Sequence, residues 1–577
     1  MPSNYAEIME ENIRRPGEEF DEIGRLISDK LYSDKTHFVY ELIQNVEDAL
    51  ERRDRNGNGK NRSNEIAFHL YEDRLELSHY GIPFNEEDVR AISYIVAGTK
   101  SEDFQQIGEF GIGFKSVYAY TSSPRIHSGN EHFKIISYIR PEAEEKIGLK
   151  YGETKIILPF NHAKVTPEEA YAQIYARLSN LSVRTLLFLR KIEAIHWFVE
   201  DKIKGSYLKQ SHANPGEDFQ RTTLINRENG DVSEERWLVF SKSVHNLDGK
   251  TQSQVEVAYL VEGPSQKPDI KPLPKSPLYS HFPTTLETDL KFLIQGPYKT
   301  PSSRENILVD DDWNLALIDK TAELVVESLI EFRKLKLLSV NTLQAMPTER
   351  DIFPKDSIFS PFYYHILAAL EEHELLPTDR GDYVKAVDAK IARSQALRDL
   401  LGENEILDLY NGHHYHWLAT EFSSDRKTHL RTYLKEDLYI NEVEPEKFAR
   451  QLDIKFLKNR STDWMISFYS FLLELRHLWS TRDSVLRKKA FIRLADDSHV
   501  PPFDENDELQ VFLLPEGETE LNVVSQAIAQ DEKALEFLLA LGVKEPNLVD
   551  EVIKNISLCW HCLKSIYTKQ FKFSELN

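Results

Sequence analysis

The chain has 577 residues, 41% of them hydrophobic and 29% charged, a balance that fills several packed cores and is far from the make-up of a disordered chain. Its net charge of −23 argues against binding nucleic acid over a broad surface, because phosphate contacts need clustered lysine and arginine. The two cysteines, Cys559 and Cys562, give no disulfide framework, MPSNYAEIMEENIRR lacks the apolar stretch of a signal peptide, and no run reaches the roughly 18 apolar residues of a membrane span, so the expectation is a cytoplasmic multidomain protein.

In chain order, residues 5–52 read as helical with a break at Pro16-Gly17, the second helix running through HFVYELIQNVEDALERR. The alternating runs EIAFHLYE and RLELSHYG predict two strands, followed by a helix entered at Asn85 and by a glycine-rich stretch, GEFGIGF, that opens another helix. KIISYI and TKIILPF read as strands. This order predicts an α+β sandwich rather than a βαβ nucleotide fold, over residues 1–165. From Thr166 a long helix, TPEEAYAQIYARLSNLSVRTLLFLRKI, leads into the strands AIHWFVE, RWLVFSK, VEVAYLV and LKFLIQG and the helix WNLALIDKTAELVVESLIEFRKL, a second α+β domain over 166–335. Pro347, Pro354 and Pro361 mark a linker, and 336–577 reads as mostly helical with a short β element near 489–513. No internal repeat at a fixed period emerges.

Two motifs carry chemistry. In ELIQNVEDA, Glu41, Asn45 and Asp48 recur at i, i+4 and i+7 and share one helical stripe, while Leu42, Ile43, Val46, Ala49 and Leu50 take the other side. Alone, such a stripe is an ordinary solvated helix face. Then IGEFGIGF brings Gly108, Gly111, Ile112, Gly113 and Phe114 to a helix start, where backbone N–H groups can approach phosphates, and VAGTK just before it supplies Thr99 and Lys100.

ELIQNVEDA, VAGTK, IGEFGIGF and TKIILPF, in this order, resemble the successive motifs of the GHKL ATPases, the Bergerat-type fold of gyrase B, the large heat-shock chaperones, histidine kinases and MutL. HFVYELIQNVEDAL, GIPFNEEDV and LLFLRKI look most like the ATP-binding module of sacsin and its bacterial relatives. The resemblance implies ATP and Mg²⁺ as cofactors, Glu41 as the carboxylate that orients and deprotonates the attacking water, Asn45 as the Mg²⁺ ligand, Asp48 at the pocket floor and Thr154 beneath the adenine. Where many relatives carry an Asp to accept from the adenine amino group, this chain reads HYGIP, with His79, Gly81 and Pro83. His79 accepting through one ring nitrogen and a water bridging to Thr154 both remain open as ways to read the base. Relatives complete their site with a cation from the following domain. Lys299 and Arg304, in IQGPYKTPSSREN, are the candidates, with Arg304 favoured for its planar fork.

Other signals carry less. Asp54 to Glu65 has the spacing of a calcium loop but runs into a strand instead of a second helix, Cys559-Trp-His-Cys562 has only two of the four ligands a zinc site needs, and His413, His414 and His416 lack a carboxylate pattern to complete a metal site. The function implied is a chaperone-like ATPase that couples nucleotide state to domain rearrangement, with an unidentified protein client, a homodimer as one arrangement and bacterial defence as one setting. The alternative is a nucleotide-gated scaffold with little hydrolysis. A histidine kinase fits poorly, since His37 is the one histidine ahead of Glu41.

Overall fold

A computed structural model describes residues 1–14, 34–57, 62–94, 112–228, 230–245, 252–264, 267–301, 306–423, 428–514, 521–547 and 552. The chain divides into two compact units, residues 1–366 and 367–577. Thr99, Lys100, Gly108, Gly111, Arg304, Cys559 and Cys562, all named above, lie outside the described residues.

In the first unit, strand β1 (Glu65–Tyr71) buries Ile66, Phe68 and Leu70, and β2 (Arg74–His79) buries Leu75, Leu77 and His79, so the period of two in the sequence sets one apolar face. Helix α1 (Tyr5–Arg14) comes first, and α2 (Phe38–Arg55) lays Phe38, Leu42, Ile43, Val46 and Leu50 into the same core as that strand face. Each fully buried side chain of this kind contributes about 1.5–3 kcal/mol. Helix α3 (Glu86–Ser93) starts at Asn85 with a reciprocal capping box to Asp88, as its sequence suggests, and α4 (Ile112–Lys115) follows the glycine stretch. Strands β3 (Arg125–Ser128), β4 (Glu131–Ile136), β5 (Arg140–Ala143) and β6 (Thr154–Pro159) complete this side of the sheet.

Helix α5 (Pro167–Ser179) is shorter than the sequence pattern suggests. It ends at Asn180, and a 3-10 turn over Val183–Leu186, capped by Ser182, replaces its continuation. Strands β7 (Ala194–Val199), β8 (Lys202–His212), β9 (Phe219–Glu228), β10 (Asp231–His245), β11 (Gln252–Glu262), β12 (Asp269–Lys271), β13 (Pro277–Ser280), β14 (Phe282–Glu287) and β15 (Leu293–Gln295) precede α6 (Asp312–Lys334). All belong to one 15-stranded mixed sheet ordered β14-β13-β15-β11-β10-β9-β8-β7-β1-β2-β6-β3-β4-β5, with β12 on β11. The joint between its two halves is the parallel pair β7–β1, with Ile66 opposite Ile195 and Phe68 opposite Trp197. The fold is therefore a mixed α+β architecture with the large sheet expected of an α/β sandwich.

The second unit has its own core, from Ala392 through Phe468 and Phe537 to Val543. It contains a repeated device. The hairpin Leu376–Pro377 with Tyr383–Val384 recurs 116 residues later as Ile492–Arg493 with His499–Val500, in the same register. Thr378 N donates to Asp382 O at 2.8 Å and Leu494 N to Ser498 O at 2.9 Å, while Asp379 N and Ala495 N reach the carbonyls of Trp417 and Val523. Gly381 and Asp497 take the same left-handed turn position, φ 85° and 64°. The helices that follow, Gln395–Leu400 and Glu532–Leu541, are offset by more than the hairpins, which is why no fixed period is visible in the sequence.

Candidate functional site

Helix α2 turns one polar stripe away from its core. Asn45 and Asp48 are exposed on it, whereas Glu41, one turn earlier, is buried at 4% exposure. Its two carboxylate oxygens meet different neighbours. Oε1 lies 3.7 Å from His37 Nε2, one helical turn back. Oε2 faces Gly113 so closely that a Cβ there would collide with it, so the start of α4 can approach the carboxylate only as glycine. The structure thus brings Glu41 and Gly113 together across 72 positions of sequence. Phe114 is buried beside them.

A second close approach fixes the end of β2. A Cβ on Gly81 would sit 2.6 Å from the Ala49 side chain, and Ile82 N donates to Ala49 O at 3.0 Å. His79 is thereby buried next to α2, and burial, with the charge of Arg53, pushes its pKa down to about 4, so the ring is neutral. Gly81 N donates to His79 Nδ1 at 3.1 Å, which leaves the ring proton on Nε2. The sequence leaves open a His79 that accepts toward a base; in the structure that accepting nitrogen is already used by Gly81.

On β6, Thr154 pairs with His79 across the strands and is fully buried. Its hydroxyl shares a 2.5 Å hydrogen bond with Ser128, whose oxygen also accepts from Phe84 N at 3.0 Å. Lys299 lies in the other half of the sheet's unit, where its ammonium pairs with Asp311 at 2.9 Å and its amide donates to Asn314. Asp311 is the N-cap of α6.

Three neighbours escape sequence reasoning. Arg53, 1% exposed, donates to Ser63 O, Tyr80 O and Asn64 Oδ1 and so ties α2 to both ends of the β1–β2 hairpin. Ser128 holds Thr154. Lys115 is buried with Nζ donating to Ile92 O at 2.7 Å and to Tyr138 O, and burial pushes its pKa down to about 7. Only Lys115 carried a signal, a lysine directly after GIGF.

The oxygen-only donors on the stripe, Asn45 and Asp48 beside Glu41, suit a hard cation such as Mg²⁺ that keeps several waters and phosphate oxygens as ligands. Among the described residues no cluster of three or more His, Cys, Asp or Glu side chains forms an all-protein metal cage. None of the described helices is long and apolar enough to cross a membrane.

Helix α2 packs its apolar side on the mixed sheet and holds a buried glutamate against Gly113 of α4, and sequence matches to known proteins give this arrangement its class, a module of the GHKL type. The sacsin domain model matches residues 23–141. The protein NO VEIN of Arabidopsis thaliana is 25% identical over 354 residues, 57% of this chain and 12% of that protein. Sacsin of Homo sapiens is 23% identical over 343 residues, 44% of this chain and 7% of sacsin. The chaperone protein HtpG of Sulfurovum sp. is 32% identical over 120 residues, 17% of this chain and 19% of HtpG. The chain therefore carries a sacsin/HtpG-like GHKL module and spans less than a fifth of the length of each of these relatives.

Proposed function

We propose that the first unit binds Mg·ATP along the α2 stripe and hydrolyses it, and that nucleotide state moves the second half of the sheet in a chaperone-like cycle acting on a protein client in the cytoplasm. In this reading residues 1–165 hold the nucleotide and 166–335 relay its state. The observation that carries it is Glu41, a buried carboxylate held between His37 and Gly113 at the start of an otherwise exposed polar stripe.

The chemistry is a displacement at the γ-phosphorus. Water oxygen forms the new P–O bond, the bond to the β-phosphate oxygen breaks, and Glu41 takes the water proton on the oxygen that faces the glycine stretch. His37, within 3.7 Å of the other oxygen, orients the carboxylate. Backbone N–H groups at 108–114 receive the phosphates, and Lys100 or Arg304 adds positive charge at the γ-phosphate. Mg²⁺, held by Asn45 and the phosphates, would supply charge neutralisation.

Glu41→Ala should bind ATP within a few-fold of the wild type but release phosphate about 10²–10⁴ times more slowly, as expected for loss of a general base. Phosphate release and equilibrium nucleotide binding measured on the full chain decide it. Wild-type turnover in the variant removes the role of Glu41, and binding without turnover in both proteins leaves a nucleotide-gated scaffold.

A further inference from the structure

Six residues after Glu41, α2 presents Glu47 to the segment 187–192. One carboxylate accepts from three consecutive backbone amides: Arg190 N and Lys191 N on Oε1, the latter at 2.8 Å, and Ile192 N on Oε2 at 2.9 Å. The opposite side of the segment is held by the opposite charge. Lys209 Nζ on β8 donates to the carbonyls of Leu187, at 3.0 Å, and Leu189. An anion on the N–H groups and a cation on the carbonyls match the polarity of the short segment at both of its faces.

The contacts continue outward. Lys191 Nζ pairs with Asp54 of α2 at 3.0 Å, and the Arg190 guanidinium donates to Gln254 of β11 at 3.0 Å. Tyr40, the residue before Glu41, stacks on Phe282 of β14 with ring centroids 4.9 Å apart. Between these attachments lies a cavity of about 210 Å³ lined by Gln44, Asp48, Arg190, Gln254, His281 and Gln295. The helix that carries Glu41 is thus fastened to the far half of the sheet at defined points, with space between them for it to shift.

We propose that Glu47 and Lys209 are positioning residues that clamp segment 187–192 between them, so that a displacement of α2 on nucleotide binding is passed to β8–β11. This rests on the reading of α2 as the nucleotide helix. Neither side chain belongs to the stripe that meets nucleotide, so removing one uncouples the halves without emptying the site.

The test is hydrogen exchange on the full chain with and without Mg·AMP-PNP, together with steady-state ATP turnover. In the wild type, AMP-PNP should slow exchange in 187–192 and in β8–β11. In Glu47→Ala the nucleotide should bind within about threefold of the wild-type affinity, its protection should stop before residue 187, and kcat should fall about tenfold with KM little changed, as when a conformational step that limits turnover is impaired. A merely structural role would loosen 187–192 equally with and without nucleotide and leave the kcat-to-KM split unmoved. Lys209→Met, which cuts the other end, should give the same pattern and serves if Glu47→Ala does not fold. Protection that still spreads into β8–β11 in these variants overturns the clamp alone. A wild-type chain that binds no AMP-PNP overturns the nucleotide reading and the clamp with it.

Discussion

His79 shows how one hydrogen bond can set what a site accepts. Because Gly81 N occupies Nδ1, the neutral ring can only donate from Nε2, so a nucleobase meeting it must present an acceptor, adenine N1 or guanine O6, and not the adenine amino group. Wild-type protein should therefore separate ATP from GTP by less than about tenfold, while His79→Asp, which restores an acceptor, should favour ATP by a further factor of about 10 or more, roughly 1.4 kcal/mol. Competition binding measures both, and a strong wild-type preference for ATP would refute the donor argument. Burial of neutral histidines also sets a pH dependence. Burial holds His79 and His127 down to about 4, against about 6.5 unfolded, and His132 adds to the effect at His127. Their stabilising contribution is complete above pH 6.5 and is lost as pH falls from 6.5 toward 4, at up to about 1.4 kcal/mol per pH unit for each. Urea unfolding at a series of pH values should show this slope, reduced in His127→Gln. At this scale, the placement of Glu41, Asn45 and Asp48 on one helix was legible because it is a matter of spacing within eight consecutive residues. The partners that shape the site, Ser128 on Thr154, Arg53 at both ends of a hairpin and Glu47 on 190–192, were not, since each joins residues with no periodic relation in sequence.

Local pattern makes most elements readable and leaves their neighbours unspecified. The capped start of α3 at Asn85, the alternation in β1 and β2 and the apolar stripe of α2 all follow from side-chain chemistry within a few residues. The parallel pairing of β7 with β1 does not, because a strand's partner is set by topology over more than a hundred residues. The paired hairpins of the second unit are hidden for a related reason: their register is shared but the loops and helices between them differ in length. The pairing of β7 has a consequence for fragments. A chain ending at residue 165 leaves Glu65–Leu70 without its parallel partner and opens a hydrophobic strand edge in the middle of the sheet. Such a fragment should aggregate or lack cooperative unfolding, whereas one ending near residue 345, which keeps β7 to α6, should melt cooperatively. Circular dichroism melts and size exclusion of the two fragments test this, and a well-folded 1–165 would mean that β7 contributes little to the half that carries α2.

Across the whole molecule, the division into units 1–366 and 367–577, each closed around its own apolar cluster, predicts how a ligand redistributes stability. Anything that binds the native first unit and not its unfolded form stabilises that unit by mass action, about 2.7 kcal/mol at a free concentration roughly 100 times Kd. The unfolding entropy of about 2.1 cal/mol/K per residue then converts this into a rise of about 3–4 °C for a unit of this size. The second unit, whose core contains no residue of the α2 stripe, should gain nothing. Calorimetry of the full chain with and without Mg·AMP-PNP should therefore show two transitions, with only one of them moving, and Gly113→Val, which drives a side chain into the Glu41 carboxylate, should abolish the shift. The moving transition is identified by the fragment ending near residue 345, which keeps the buried Trp197 and Trp237 of the first unit without Trp417 and Trp479 of the second, and whose tryptophan-monitored melt should follow it. A single transition would mean that the units unfold as one cooperative body, and two transitions that rise together would mean that the stabilisation reaches residues 367–577 and extends the relay argued for β8–β11.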